Sequence, residues 1–340
     1  MADLKSRVIA DSEAMRTTWE RIRKASPSDE LVLLCGESGT GTGQAADEAE
    51  RSAAASGDQL VLAIVSAYPA SALDELSLFM RWMNERLAAD NMRLGVKVAA
   101  SVPEVATWLA EGEADFFIAS PHPVLLAKAL SGCRPILRRW KFGSPTYQSV
   151  FFVRDDSGVW DWSDLSGKVL AFEDRYSTSS FFLPMGFLLD AGVEGVFIEG
   201  VGDDLPEDRP GWVFSGGDST TMHWVLAGKV AAGVMNEWNF DRFAGQDKGQ
   251  LRILKTTEEI PRGLLAARAD LDPQAERKVV ELLLSAGDDP LGREALDAFS
   301  GTDRFDDIPQ DFLDRVEPLQ DLVVKIDALV RDVENPPAGR

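Results

Sequence analysis

Residues 169–189 read Val169-Leu-Ala-Phe-Glu-Asp-Arg-Tyr-Ser-Thr-Ser-Ser-Phe-Phe-Leu-Pro-Met-Gly-Phe-Leu-Leu189. The apolar run Val169 to Phe172 suits a strand buried on both faces. A polar turn, Asp174 to Ser180, leads into Phe181 to Leu189, which reads as a helix stopped by Gly192. Strand, turn and helix in this order are half of a parallel βαβ unit. Ser177, Thr178 and Ser179 fall at the helix N-terminus, beside unpaired backbone N–H groups and the positive end of the dipole. Three consecutive hydroxyls suit an oxyanion, whereas an ordinary cap needs only one. Composition leaves both readings open. Pro184 lies too deep for a first turn, so the helix should start late or kink.

The same alternation extends in both directions. Upstream, Leu60 to Ser66 reads as a buried strand, and Ala72 to Ala88 as an amphipathic helix with Leu73, Leu76, Met80, Met83 and Leu87 on one face. Gly95 to Ala100 is a strand, Pro103 to Ala110 a helix, and Asp115 to Ala119 a third strand, together an open α/β sheet with parallel strands. Tyr147 to Arg154 opens a second such unit. Trp212 to Ser215, Val230 to Met235 and Leu251 to Leu254 read as its further strands, with a helix from Thr220 to Ala227. Helices close the chain at Pro273 to Ser285, Pro290 to Ala298 and Pro309 to Val333, the last broken or kinked at Pro318. A long C-terminal return suits two lobes joined by crossovers, closing on a ligand by a hinge. The expected division is 1–58 as a separate segment and linker, 59–150 plus 246–340 as the first lobe, and 151–245 as the second.

Composition narrows the partners. The 340 residues carry 35 Lys and Arg against 56 Asp and Glu, a formal charge of −21. That field repels polyphosphate, so no nucleic-acid partner is expected. The basic stretch Arg134, Arg138, Arg139 and Lys141 is a weak exception. Two His and two Cys are too few for the usual zinc site, and no EF-hand spacing appears, which leaves only a carboxylate-held calcium or magnesium ion open; no metal or other cofactor is expected. Cys35 and Cys133 form a disulfide or stay as buried thiols. No apolar run is long enough to span a bilayer, and the charged opening does not read as a signal peptide. A cytoplasmic location is therefore the expectation. His122, between two prolines, reads as a loop residue; His223 reads as a packed or exposed helix residue.

Two resemblances follow from particular motifs. Val8-Ile-Ala-Asp-Ser-Glu-Ala-Met15, Ile22-Arg-Lys-Ala-Ser-Pro-Ser-Asp29 and Gly36-Glu-Ser-Gly-Thr-Gly41 resemble the start of the AAA+ domain of bacterial enhancer-binding activators. Strand, glycine-rich loop and helix are the parts of a P-loop, but Thr42 stands where the phosphate-binding lysine belongs. No working NTPase is therefore expected, and the segment reads as an inherited or fused fragment.

The body, about 59–305, resembles the phosphonate/phosphate/phosphite-type substrate-binding proteins of ABC importers. The carriers are Tyr147-Gln-Ser-Val-Phe-Phe-Val-Arg-Asp-Asp-Ser157, Asp164-Leu-Ser-Gly-Lys168, Asp174 with Ser177-Thr-Ser179, Pro184 and Gly192. Ala114-Asp115 with Ser120-Pro121, Phe214-Ser-Gly-Gly217 and Ile260-Pro261 before Ala267-Arg-Ala-Asp-Leu271 extend it. The resemblance implies a two-lobed periplasmic-binding-protein-like fold of type II. It also implies capture of a small oxyanion between the lobes, an ABC permease partner, a periplasmic location and no catalysis. A monomer is expected. The site it implies comprises Ser177, Thr178, Ser179, Tyr147, Tyr68, Ser120 and the position of Asp218. The pattern departs in three places. Ser180 replaces a glycine, His122 with its neighbours replaces an aromatic, and Asp218 replaces a ligand-contacting histidine. Asp218 would repel a dianion or, read locally, cap the Thr220 helix. Glu237 and Asp241 face a distal ligand group or simply solvent. The alternative function is a cytoplasmic ligand-sensing or regulatory module derived from such a protein.

Overall fold

A computed structural model describes residues 58–334. The expectations for the first 57 residues, including the glycine-rich turn and Cys35, lie outside the described residues. The remainder forms two compact units. One comprises residues 58–119, 127–145 and 263–308; the other comprises 120–126, 146–262 and 309–334.

The first unit is built on a six-stranded sheet. Its strands are β1 (Asp58–Val65), β2 (Met92–Ala99), β3 (Phe116–Ala119), β4 (Arg134–Lys141), β13 (Gly263–Ala267) and β14 (Thr302–Asp306), in the order β14-β4-β13-β3-β1-β2. β1 pairs parallel with β2 and β3, joined by helices α1 (Pro69–Leu87) and α2 (Val102–Glu111), as the alternation required. β13, β4 and β14 run antiparallel, so the sheet is mixed rather than parallel. They come from returning segments that need no right-handed crossover. The buried face of α1 is Leu76, Phe79, Trp82, Met83 and Leu87; Leu73 and Met80, expected on it, lie at its border. Asp289 ties α1 to α8 (Pro290–Ala298), accepting from Trp82 Nε1 at 2.9 Å, pairing with Arg86 and capping α8. Asp115 is buried for a similar reason. Its carboxylate accepts the Val61 N–H at 2.7 Å and Arg268 Nε at 2.9 Å, joining β1, β3 and the chain after β13.

The second unit carries a sheet of β6 (Ser149–Arg154), β7 (Val169–Phe172), β8 (Val196–Phe197), β9 (Gly211–Phe214), β10 (Ala232–Asn236) and β11 (Leu251–Thr256), ordered β11-β6-β10-β7-β9-β8. β7, central and buried at all four positions, pairs parallel with β9 and β10. Helices α4 (Leu183–Asp190), α5 (Asp218–Leu226) and α6 (Glu237–Ala244) flank it. Gly233 lets α5 approach β10. A Cβ there would stand 2.7 Å from Thr221 Cγ2 and 2.8 Å from the Phe152 ring, closer than side chains pack. β5 (Thr146–Tyr147) leaves the expected Tyr147–Arg154 strand at Gln148 and pairs with β12 (Ile260–Pro261).

Three expectations need correction. The lobe boundary falls near 145 and 262 rather than 150 and 245, because β11 hydrogen-bonds to β6 and takes its segment into the second sheet. Residues 309–334 also join the second unit, where Gly186 of α4 receives Leu322 of α10 (Val316–Glu334). The break between α9 (Gln310–Leu313) and α10 precedes Pro318, which sits in the first turn of α10, where its missing N–H costs nothing. Finally, His122 lies in the first turn of helix α3 (Pro121–Ser131), two prolines being compatible with a helix start, and it is buried. His223 is exposed on α5, as one of its two readings had it. Cys133 is a buried thiol whose pKa burial raises.

Candidate functional site

The turn after β7 is the chemical centre of the second unit. Thr178–Phe182 forms a single turn of π-helix before α4, opened by the Phe182 N–H bond to the Ser177 carbonyl at 3.0 Å. Single π-turns of this kind are frequent at functional sites. Pro184 thereby becomes the second residue of the α-helix, the late start that its position demanded. Ser177 is the cap: its Oγ accepts the Ser180 N–H at 3.1 Å. For the Thr178 and Ser179 amides, the structure records no acceptor among the described residues. They precede the first helical bond and remain available as donors.

Four of the predicted residues meet here. Thr178 Oγ1 donates to Ser120 Oγ at 2.8 Å and accepts the His122 N–H at 2.9 Å. Tyr147 is buried, with its hydroxyl interacting with the Thr178 and Ser179 side chains. Burial raises the Tyr147 pKa, so the phenol stays a neutral donor at pH 7. Thr178 and Ser179 are themselves buried, which strengthens every polar contact they make. The His122 ring stacks on Phe182 at 4.5 Å, and neither ring nitrogen makes a hydrogen bond of normal geometry. Burial, with Arg175 adding to it, holds the imidazole down at about 3, against a weaker pull from the Tyr176 backbone. His122 is therefore neutral and takes the apolar role of the aromatic that it replaces.

Behind the turn lies an acid cluster that motif reading did not anticipate. Asp218 is the first residue of α5, not its cap; the cap position belongs to Gly217. Its buried carboxylate accepts Ser180 Oγ at 2.9 Å and Asn239 Nδ2 at 2.5 Å. Two departures from the family pattern, Ser180 and Asp218, are thus bonded to each other. Glu173 completes the cluster. Burial and then the Asp218 charge push it up to about 7, with the Ser177 and Ser180 side chains pulling down. Burial raises the Asp218 carboxyl as well, against the downward pull of Asn239 and Ser180, so the two acids titrate together and retain a proton more readily than free carboxylates. No signal in the residue pattern marked Glu173 or Asn239.

Three other expected positions lie elsewhere. Tyr68 belongs to the first unit, at the cap position of α1, and is 77% exposed. Glu237 accepts Gln148 Nε2 at 2.6 Å, and exposed Asp241 pairs with Lys248 at 2.6 Å. Among the described residues no group of acidic, His or Cys side chains is placed to hold a metal ion. Nor is any helix among them long and apolar enough to cross a membrane.

A family model described as "ABC transporter, phosphonate, periplasmic substrate-binding protein" matches residues 62–312. The chain belongs to this family. Its members are periplasmic substrate-binding proteins of transporters, and the chain shares their solute-binding role. A second model, the sigma-54 interaction domain, matches residues 8–96 and bears out the resemblance of the N-terminal motifs to enhancer-binding activators. Among solved structures, XAC2383 from Xanthomonas citri, bound to ATP, is 25% identical with a TM-score of 0.74, over 81% of this chain and 100% of that one. PhnD1 from Prochlorococcus marinus, in complex with methylphosphonate, is 18% identical with a TM-score of 0.59, over 79% of this chain and 99% of that one. The aliphatic sulphonate-binding protein SsuA from Escherichia coli shares the fold at a TM-score of 0.51 and 14% identity, over 80% of this chain and 88% of that one. The fold is that of the type II periplasmic binding proteins.

Proposed function

We propose that the chain captures a small phosphonate- or phosphate-like oxyanion at the Ser177–Ser180 turn and delivers it, chemically unchanged, to an ABC permease. The observation that carries this reading is the pair of Thr178 and Ser179 amides, without acceptors at the start of a buried π-turn. The hydroxyls of Ser179, Ser120 and Tyr147 surround them. Such a set recognises an oxyanion through neutral donors, which suits a protein whose overall charge is −21. Ser177 shapes the turn as its cap rather than supplying the principal donor. The two relatives bound to methylphosphonate and to ATP both present phosphoryl oxygens, in keeping with this class of ligand.

Calorimetry with methylphosphonate, inorganic phosphate, phosphite, a sulfonate and a carboxylate tests the proposal. One phosphoryl ligand should bind with a Kd that Ser179→Ala weakens at least tenfold, worth about 1.4 kcal/mol. Unchanged affinity in Ser179→Ala, with the fold intact, would overturn the site.

One observation favours a second reading. The sigma-54 interaction match covers 8–96, which suits a cytoplasmic ligand sensor. Fractionation of the native protein separates the two: a periplasmic protein supports uptake, and a cytoplasmic one supports sensing.

A further inference from the structure

The first unit holds a cavity of about 290 Å³ that brings together the loop after β1 and Arg139 of the basic stretch. Its wall includes Ser66, Ser71, Glu75, Arg139, Phe299 and Ser300, with Tyr68 beside them. Arg139 is unusual for an arginine in being 7% exposed. Its guanidinium lies over the Phe299 ring at 4.0 Å, with Nε donating to Thr302 Oγ1 and Nη2 to the Phe299 carbonyl, both at 2.7 Å. No hydrogen bond is recorded for Nη1, and no carboxylate forms an ion pair with this cation among the described residues. A buried cation without an ion-pair partner is costly unless something answers it.

Glu75 stands on the same cavity wall and interacts with Arg139 only at longer range. One carboxylate oxygen accepts Ser300 Oγ at 2.6 Å. The helix carrying it, α1, starts at the cavity with no side-chain cap and no acidic residue in its first turn. The Ala70 and Ser71 amides precede its first backbone bond, from Ala72 N–H to the Tyr68 carbonyl. The cavity therefore offers a cation and helix-start amides on one part of its wall, and a carboxylate on another.

We propose that this cavity is a second binding site, for a small zwitterion whose carboxylate or sulfonate meets Arg139 Nη1 and the start of α1 while its ammonium meets Glu75. A volume of about 290 Å³ lies at the small end of ligand pockets and fits an amino acid rather than a nucleotide. The two opposite charges, facing one cavity without pairing, select for a ligand that carries both. The site is independent of the serine turn and takes none of its residues.

The experiment uses the full chain carrying Ser177→Ala and Ser179→Ala, which removes the serine turn from the measurement. The probes are β-alanine, taurine, propionate and propylammonium, titrated by calorimetry. β-Alanine or taurine should bind at least tenfold more tightly than either singly charged probe. Glu75→Gln, an isosteric change at an exposed residue, should abolish that preference. Ser71→Asp should weaken binding at least tenfold, since it places a negative charge at the third helical residue; the same charge favours the helix, so the fold survives. Equal affinity for β-alanine and propionate, indifference to Ser71→Asp, or no binding of either zwitterion at millimolar concentration would each overturn the proposal. If the serine turn itself binds nothing, unsubstituted protein would give the same titration as the double variant, so the two failures are distinct.

Discussion

The two units bury charge in opposite ways. In the first, Arg139 is a buried cation with one guanidinium nitrogen unspent, beside a cavity. In the second, Asp218 and Glu173 are buried acids whose needs are met inside the protein, by Ser180, Asn239 and a retained proton. An unspent charge can meet a ligand, whereas a satisfied one shapes the groups in front of it. At the serine turn the second unit presents neutral donors, the amides of Thr178 and Ser179 and nearby hydroxyls, with the Arg262 guanidinium 5.5 Å from the Tyr147 ring. Placing full negative charge behind an oxyanion site is tolerable only because a proton stays with it.

That contrast makes the second unit the place where pH acts. Glu173 is raised in the folded protein from its ordinary 4.5 to about 7. Its penalty on the native state is absent below pH 4.5, grows as pH rises to 7, and is then constant at about 3 kcal/mol. His122 is lowered from 6.5 to about 3, so native stability falls as pH drops from 6.5 to 3, by about 5 kcal/mol in all. Between pH 4.5 and 6.5 the two slopes are opposite and nearly cancel. Urea unfolding of the unsubstituted protein should be close to level across that window. Glu173→Gln removes one slope, and its stability should fall by about 3 kcal/mol from pH 6.5 to 4.5. A variant profile unchanged from that of the unsubstituted protein would show that Glu173 holds no proton and break the comparison.

The next largest effect sharpens the contrast between spent and unspent groups. Thr178→Val keeps the volume and deletes a hydroxyl that accepts the His122 amide and donates to Ser120. A buried N–H loses its acceptor, so unfolding free energy should fall by about 2 kcal/mol. Phosphoryl affinity should change less than in Ser179→Ala, because this hydroxyl is already engaged within the protein. A larger loss of affinity in Thr178→Val than in Ser179→Ala would reverse the assignment of donors.

Much of this was legible in the residues, and the rest was hidden for identifiable reasons. β7 and the pairs around β1 stood out because a central parallel strand is a pure apolar run, and α1 because its apolar period is 3.6. β4, β13 and β14 were invisible as strands. β4 carries Arg134, Arg138, Arg139 and Lys141, which read as a basic patch when the partners of those side chains are unknown. Arg138 in fact pairs with Asp306 through two bonds, and Arg139 turns inward to Thr302. These partners lie more than 160 positions away, beyond any local pattern. At the site, the hydroxyl run was recognisable because capping chemistry is local. The acid cluster was not, because Glu173, Asp218 and Asn239 converge only when β7, α5 and α6 pack. Asp218 looked like a cap for the same reason: an aspartate beside a helix start is usually one.

Ser180→Gly tests whether the two departures from the family pattern act together. Glycine restores the family residue and deletes the 2.9 Å bond to Asp218. A buried carboxylate that loses one of two donors should cost about 2 kcal/mol, while its remaining bond to Asn239 persists. The variant should also raise the pH at which Asp218 protonates, read by the shift of its carboxyl carbon resonance. No shift would mean that Ser180 contributes packing rather than charge stabilisation.

The smallest expected effect on stability belongs to Tyr68, and it bears on the first unit alone. The side chain is 77% exposed, and Tyr68 serves the helix start through its backbone, whose N–H donates to Ser66 Oγ at 3.0 Å and whose carbonyl accepts the Ala72 N–H at 3.1 Å. Tyr68→Ala keeps those bonds, so unfolding free energy should move by less than about 0.5 kcal/mol. A change so small in the free protein leaves ligand affinity as a clean readout. An aromatic ring held at the surface beside a cavity with an unspent cation has no packing reason to be there. If Tyr68→Ala weakens the zwitterion at least fivefold with stability unchanged, the ring covers the ligand of the first unit. If it weakens the phosphoryl ligand instead, Tyr68 serves phosphoryl binding, as the family resemblance implied, and its assignment to the zwitterion falls.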